Sequence, residues 1–158
     1  MTKFRLVALA AISALAIAGC GGGSSSNKTL SYGAVGTEAN KICNEFNPQV
    51  KSISDKLTGD PAKDAPVWDE LVAKLDEGQA KFKALKPPSQ LKSDYDQLIS
   101  LTDQQIALAK KAQAAAKAGD KAAYVQVLKD TKKSNLDSQS DIEASKLGAK
   151  DCIGGSNG

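Results

Sequence analysis

Between residues 37 and 150 the apolar side chains recur every three or four positions, and no segment alternates polar and apolar residues as a strand would. Three groups of helix breakers interrupt this pattern: Thr58-Gly59-Asp60-Pro61, Lys86-Pro87-Pro88-Ser89 and Gly119-Asp120. The pattern therefore predicts an all-α fold with four amphipathic helices, at about residues 37–58, 64–85, 89–118 and 120–147.

The residues at the expected helix ends fit this division. Thr37, Asp64 and Asp120 are plausible N-caps, and Gly148 is a plausible glycine just beyond the last helix. Because Gly119-Asp120 leaves only a very short turn, the third and fourth helices should form an antiparallel hairpin. Short joins between all four helices favour an up-down-up-down bundle.

The first residues of the chain have the pattern of an export signal. Lys3 and Arg5 precede an uncharged, mostly apolar run at residues 6–18. As a helix this run would reach ~20 Å, too short for the ~30 Å hydrocarbon core of a bilayer. We therefore expect residues 1–19 to be a signal peptide that is removed, rather than a transmembrane anchor.

The end of this signal carries a more specific motif. Ile17-Ala18-Gly19-Cys20 resembles the lipobox of bacterial lipoproteins, an aliphatic residue and two small residues before a cysteine. The resemblance implies cleavage before Cys20, a diacylglycerol on its sulfur, and a location at the extracytoplasmic face of the cell membrane. Cleavage by an ordinary signal peptidase is the alternative. The Gly/Ser-rich start of residues 20–36 predicts a flexible linker, with the folded domain at 37–153 and a flexible tail at 154–158.

Of the three cysteines, one is the expected lipidation site and the other two are available for a disulfide. With Cys20 lipidated, Cys43 and Cys152 are left as an even pair in an oxidising compartment, which predicts a disulfide. In an up-down-up-down bundle the start of the first helix and the end of the last lie at the same end. The disulfide and the topology thus agree, although they rest on different residues.

Composition argues against most catalytic chemistry. The chain has no histidine, and its net charge of +3 falls by two when Lys3 and Arg5 leave with the signal. No phosphate-binding loop, EF-hand or nucleophile motif is present. We therefore expect no enzyme activity, no metal site, no cofactor other than the lipid on Cys20, and no nucleic-acid partner.

The predicted inner faces of the third and fourth helices are apolar at first but carry polar residues near the middle of each helix. Such buried polar residues suggest a small-ligand cavity. These candidate ligand-facing residues are Thr102, Gln105, Thr131, Asn135 and Ser138, with Asn40, Asn44 and Asn47 on the first helix. The alternatives are a network that satisfies itself, or side chains that face water. A hydrophobic-ligand groove near Trp68 and Phe82 is a further interpretation, against which core packing is the simpler role of both rings.

A second resemblance covers most of the domain. Ala39-Asn40-Lys41-Ile42-Cys43, the Pro87-Pro88 break, the Gly119-Asp120 turn, Gly148 and Cys152 resemble small secreted helical lipoproteins of high-GC Gram-positive bacteria. This resemblance implies an exported, lipid-anchored four-helix protein and supplies no catalytic residues. The expected function is a non-catalytic interaction module that binds an envelope protein or a wall component. The alternative is a carrier or sensor of a small or hydrophobic ligand held within the bundle.

Overall fold

The computed structural model describes residues 28–154, and this part of the chain is all-helical, with no strand. The predicted signal peptide, Cys20 and the last four residues lie outside the described residues. Two short 3₁₀ helices lie at Ser89–Leu91 and Lys150–Cys152. The five α-helices are α1 Tyr32–Ser54, α2 Pro61–Ala84, α3 Lys92–Lys117, α4 Lys121–Lys133 and α5 Leu136–Lys146.

The first helix begins five residues before the expected start. Ser31 occupies the N-cap position, and Thr37 lies inside α1, where its hydroxyl donates to the Gly33 carbonyl at 3.2 Å. The predictions of a Thr37 cap and of a linker that extends to residue 36 are therefore wrong. The reason is tertiary packing, because Val35 is fully buried and Gly36 lies against the backbone of Leu147.

The second helix is capped by Asp60, whose side chain accepts from the Ala62 N–H at 3.1 Å, with Pro61 in the first helical position. The prediction that Asp64 caps this helix is wrong. Asp64 lies one turn inside α2 and is fully buried. Its carboxylate binds the loop before the helix rather than the helix end, accepting from the N–H groups of Thr58 and Gly59.

The hairpin between α3 and α4 is as expected. Gly119 has the left-handed φ of 64°, and the Asp120 N–H donates to the Ala115 carbonyl at 3.0 Å, which closes the end of α3. Asp120 caps α4 by accepting from the Ala123 N–H at 2.9 Å. Gly148 closes α5 in the same way, with φ of 74°.

The expected fourth helix is divided in two. Asn135 has φ of 56°, in the left-handed region that asparagine tolerates better than most residues, and it separates α4 from α5. The break rotates α5 relative to the expected continuation of α4. Leu136, Ala144 and Leu147 are buried, whereas Ile142 is 56% exposed. Ile142 follows Ser138 by four residues, so an unbroken fourth helix would place it on the same inner face as Ser138.

The helices enclose two apolar clusters. One includes Ile53, Trp68, Leu71 and Tyr124, beside alanines from the C-terminal half of α3. The other includes Val35, Tyr95, Leu98 and Leu147. α2 packs against α1 and α3, and α3 also contacts α4 and α5. The sulfur atoms of Cys43 and Cys152 are at disulfide-bonding distance, with Cα atoms 5.1 Å apart, so the predicted pair is the pair that the fold brings together.

Candidate functional site

A cleft of about 270 Å³ lies among α1, α2, α3 and α5, between the two apolar clusters. It is partly open to solvent, and the disulfide lies at its edge. Its apolar lining consists of Ile42, Phe46, Val50, Leu75, Phe82, Leu98 and Ala144. A mostly apolar concave surface with a few polar groups is typical of small-ligand sites, and this cleft is just below their usual range of about 300–1,000 Å³.

The most unusual polar group in this cleft is the side-chain amide of Gln79, which is only 5% exposed. Its Nε2 donates to the Ile99 carbonyl at 3.1 Å and to Oδ1 of Asp103 at 3.0 Å. Its Oε1 is buried and has no hydrogen-bond donor among the described residues. A buried acceptor in this state costs about 1–3 kcal/mol, so the group needs an explanation.

The wall formed by α5 contributes three polar side chains from one helix face: Asp137, Ser140 and Asp141. The Ser140 hydroxyl is the second buried polar group of the described chain without a partner. Asp137 accepts a hydrogen bond of 2.7 Å from Nε2 of Gln105 on α3, which ties the two walls together. Both unpartnered atoms, Gln79 Oε1 and Ser140 Oγ, are buried within the walls of the cleft and present no surface to it.

Phe46 forms the wall between α1 and α2. Its ring packs on Gly78, where an added Cβ would lie 3.3 Å from the ring, so glycine allows the close approach. The ammonium groups of Lys74 and Lys81 lie 5.5 and 4.7 Å from the ring centroid. Because each lysine also pairs with a glutamate, these charges are compensated at the rim.

The structure brings together two of the five candidate ligand-facing residues. Thr102 and Gln105 line the cleft, although the Thr102 hydroxyl is already bonded to the Leu98 carbonyl of its own helix. Thr131, Asn135 and Ser138 are exposed, so the prediction that they face inward is wrong. The Asn135 break moves that face of α5 outward and brings in Asp137, Ser140 and Asp141, which the sequence analysis missed.

The three asparagines of α1 bind the segment that carries Cys152, and Asn47 also lines the cleft. Asn40 accepts from the Asp151 N–H at 2.9 Å, Asn44 donates to the Asp151 carboxylate at 2.8 Å, and Asn47 donates to its carbonyl at 3.1 Å. These hydrogen bonds satisfy polar groups of the asparagines and of Asp151, and they position the segment that carries Cys152. Here the alternative of a self-satisfied network describes the asparagines correctly.

Trp68 and Phe82 have different environments. Trp68 is buried in the core, where its indole N–H donates to the Tyr124 hydroxyl at 2.8 Å and the two rings meet edge to face. It does not line the cleft. Phe82 does line it, with its ring partly buried. The hydrophobic surface suggested by the sequence thus exists near Phe82 and not near Trp68.

Asp64 is the buried carboxylate of the core, and its bonding leaves it no role in a ligand site. Burial raises its pKa, but donors from Thr58, Tyr124 and Gly59 outweigh burial and hold the pKa below its usual value. Every one of these donors is at 2.8 Å. The group is therefore a charged structural anchor with its oxygens occupied by protein donors.

Residues 28–154 contain no group of three side chains suited to hold a metal ion, and no helix among them is long and apolar enough to cross a bilayer. No protein-family model, curated protein or solved structure is similar enough to the chain to count as a match.

Proposed function

We propose that this protein is a lipid-anchored, extracytoplasmic lipoprotein whose helical domain binds a small, largely apolar ligand in the cleft. The observation that carries the proposal is the partly open concave surface itself, which is lined mainly by apolar side chains of α1, α2, α3 and α5. A ligand with an apolar body would cover this lining, and a hydrogen-bond donor on it would meet the carboxylates of the α5 wall. The role is that of a carrier or sensor, without catalysis.

The anchor rests on the sequence motif around Cys20 and on the short segment from there to α1. We propose that α4 and α5 together form the fourth arm of an up-down-up-down bundle, with Asn135 as its bend. In the mature protein the lipid would hold the cleft close to the membrane surface. Cys20→Ala should release the protein from membranes into the soluble fraction, and continued membrane retention of this variant would contradict the anchor.

An interaction module of the cell envelope is the second candidate. Tyr32, Ile142 and Ile153 are the large apolar side chains that the described chain exposes, at 64, 56 and 42%. Exposed apolar residues of this kind favour contact with an envelope protein or wall component. We rank this candidate second because none of these side chains lines the cleft, where apolar side chains from four helices converge.

The cleft is tested by titrating 2-phenylethanol into the ¹⁵N-labelled domain and following amide shifts. An apolar cavity of about 150 Å³ holds benzene, so this probe is small enough for the cleft. We expect shifts at Gln79, Phe82, Thr102 and Ser140, and their loss in Ser140→Leu, which fills the cleft. Ser138→Leu is the matched control, because Ser138 is on the same helix but exposed. Equal binding by both variants, or shifts elsewhere only, would overturn the proposal.

A further inference from the structure

The charged residues that line the cleft suggest the chemical class of its ligand. These residues are Asp137, Asp141 and Lys74. Lys74 donates to Glu77 at 2.7 Å, so its charge is paired. Neither aspartate forms an ion pair with a lysine of residues 28–154. The cleft thus carries two uncompensated carboxylates on its α5 wall.

The hydrogen-bonding capacity left in the cleft is mainly that of acceptors. Asp137 uses Oδ1 for Gln105, and Asp141 uses Oδ1 for the Gly154 N–H at 3.1 Å. Each keeps a second carboxylate oxygen. A ligand that fits this set donates several hydrogen bonds and carries positive charge.

We infer that the cleft binds a small amphiphilic cation, an ammonium group on an apolar body. This inference rests on the proposed function, since it assigns the ligand class of the same site. The ammonium group lies at the α5 wall, where it donates to the carboxylates of Asp137 and Asp141, and the apolar body packs on Leu75, Phe82 and Leu98.

Three probes of similar size and shape separate charge from hydrophobicity: phenethylammonium, 2-phenylethanol and 3-phenylpropionate. Their affinities are measured by amide shifts of the full lipid-free domain at low ionic strength. We expect phenethylammonium to bind roughly tenfold more tightly than 2-phenylethanol, and 3-phenylpropionate to bind most weakly. The preference for the cation should diminish with added salt, because the carboxylates are partly exposed.

Asp137→Asn and Asp141→Asn each remove one negative charge and keep an oxygen for Gln105 or Gly154. Each should weaken phenethylammonium binding roughly fivefold and leave 2-phenylethanol binding unchanged. Asp130→Asn is the matched control, since it makes the same charge change at an exposed position of α4 that does not line the cleft. Asp137→Glu should restore most of the affinity.

The possible results separate this inference from the proposed function. If 2-phenylethanol and phenethylammonium bind the cleft equally, and the aspartate variants match wild type, the inference of a cationic ligand is overturned. The proposal of an apolar ligand site then stands. If 3-phenylpropionate binds most tightly, the inference of a cationic ligand is likewise overturned. If none of the three shifts a cleft residue, both proposals fail.

Discussion

The hydroxyl oxygen of Tyr124 on α4 lies 2.8 Å from Oδ2 of Asp64 on α2, and both side chains are fully buried. The same hydroxyl accepts from the Trp68 indole, and the Asp64 carboxylate accepts from the loop between α1 and α2. One buried carboxylate therefore connects three parts of the fold. This network ties the start of α2 and the loop before it to α4.

Asp64→Asn should lower the free energy of unfolding by about 2–4 kcal/mol, because the amide cannot accept from all the donors that the carboxylate holds. The folded-state pKa of Asp64 lies below the ordinary 3.8. The contribution of its carboxylate to the free energy of unfolding is therefore complete above pH 3.8 and is lost as the pH falls through the folded-state pKa. Urea unfolding at pH 7 and pH 3 should show the difference from wild type shrinking in acid.

The exposed Asp96 provides the control for that measurement. Its ion pair with Lys92 is at the surface of α3, so Asp96→Asn should change the free energy of unfolding by no more than about 1 kcal/mol. Equal effects of the two substitutions at pH 7 would contradict the anchoring role of Asp64.

Alkaline pH should destabilise the domain through two tyrosines. Burial, followed by the negative charge of Asp96, raises the pKa of Tyr95 to about 12. Burial and the Asp64 carboxylate raise the pKa of Tyr124 to about 12 against the opposing Trp68 hydrogen bond. In the unfolded chain the tyrosine hydroxyls ionise near pH 10. The stability that the two neutral tyrosines contribute is therefore complete below pH 10 and is lost between pH 10 and 12.

Urea unfolding at pH 9 and pH 11 measures this loss. At pH 9, Tyr124→Phe should be less stable than wild type, since Trp68 and Asp64 each lose a hydrogen-bond partner. Between pH 9 and pH 11, its free energy of unfolding should fall by less than that of wild type. A variant with the same pH dependence as wild type would show that Tyr124 does not carry the effect.

The crossing of α1 and the end of α5 depends on Gly36. A Cβ at this position would lie 2.7 Å from the carbonyl oxygens of both Leu147 and Gly148, and backbone cannot move aside cheaply. Gly36→Ala should therefore cost at least about 2 kcal/mol of unfolding free energy. Gly33→Ala, in the same helix with nothing within 4 Å, should instead stabilise by about 0.5–1 kcal/mol. Destabilisation by both substitutions to the same extent would contradict the crossing.

Most of the helical organisation could be predicted because it depends on local signals. Pro87-Pro88 and Gly119 end helices by their own backbone restrictions, and the Leu91–Tyr95–Leu98 spacing marks a buried face directly. Asp64 was misread because an acidic residue before an apolar run resembles a cap. The better signal was Asp60 followed by Pro61, the usual residue pair at a helix start.

The cleft could be predicted only in part. Thr102 and Gln105 lie on the uninterrupted α3, so their periodicity places them correctly. The residues of α5 depend on a single left-handed residue, Asn135, and nothing in the apolar spacing marks it. Gln79 is a polar residue on a buried face of α2, and its role depends on Asp103 and Ile99 of another helix.

The bend at Asn135 leads to a further prediction. Glycine adopts the left-handed φ of 56° without strain, so Asn135→Gly should keep wild-type stability within a few tenths of a kcal/mol. Asn135→Ala should cost about 1 kcal/mol, because a Cβ disfavours this conformation. Thermal unfolding followed by circular dichroism measures both, and a stabilising Asn135→Ala would indicate a continuous fourth helix in solution.

The central claim is that the cleft holds a small molecule in the protein's natural setting. Native mass spectrometry of the lipidated protein, gently extracted from its host membranes and compared with a denatured sample, tests it most directly. We predict a non-covalent small-molecule adduct on the wild type and on Ser138→Leu, and its absence from Ser140→Leu. A bare lipidated monomer in all three samples, or added mass that corresponds to a second protein, would contradict the claim.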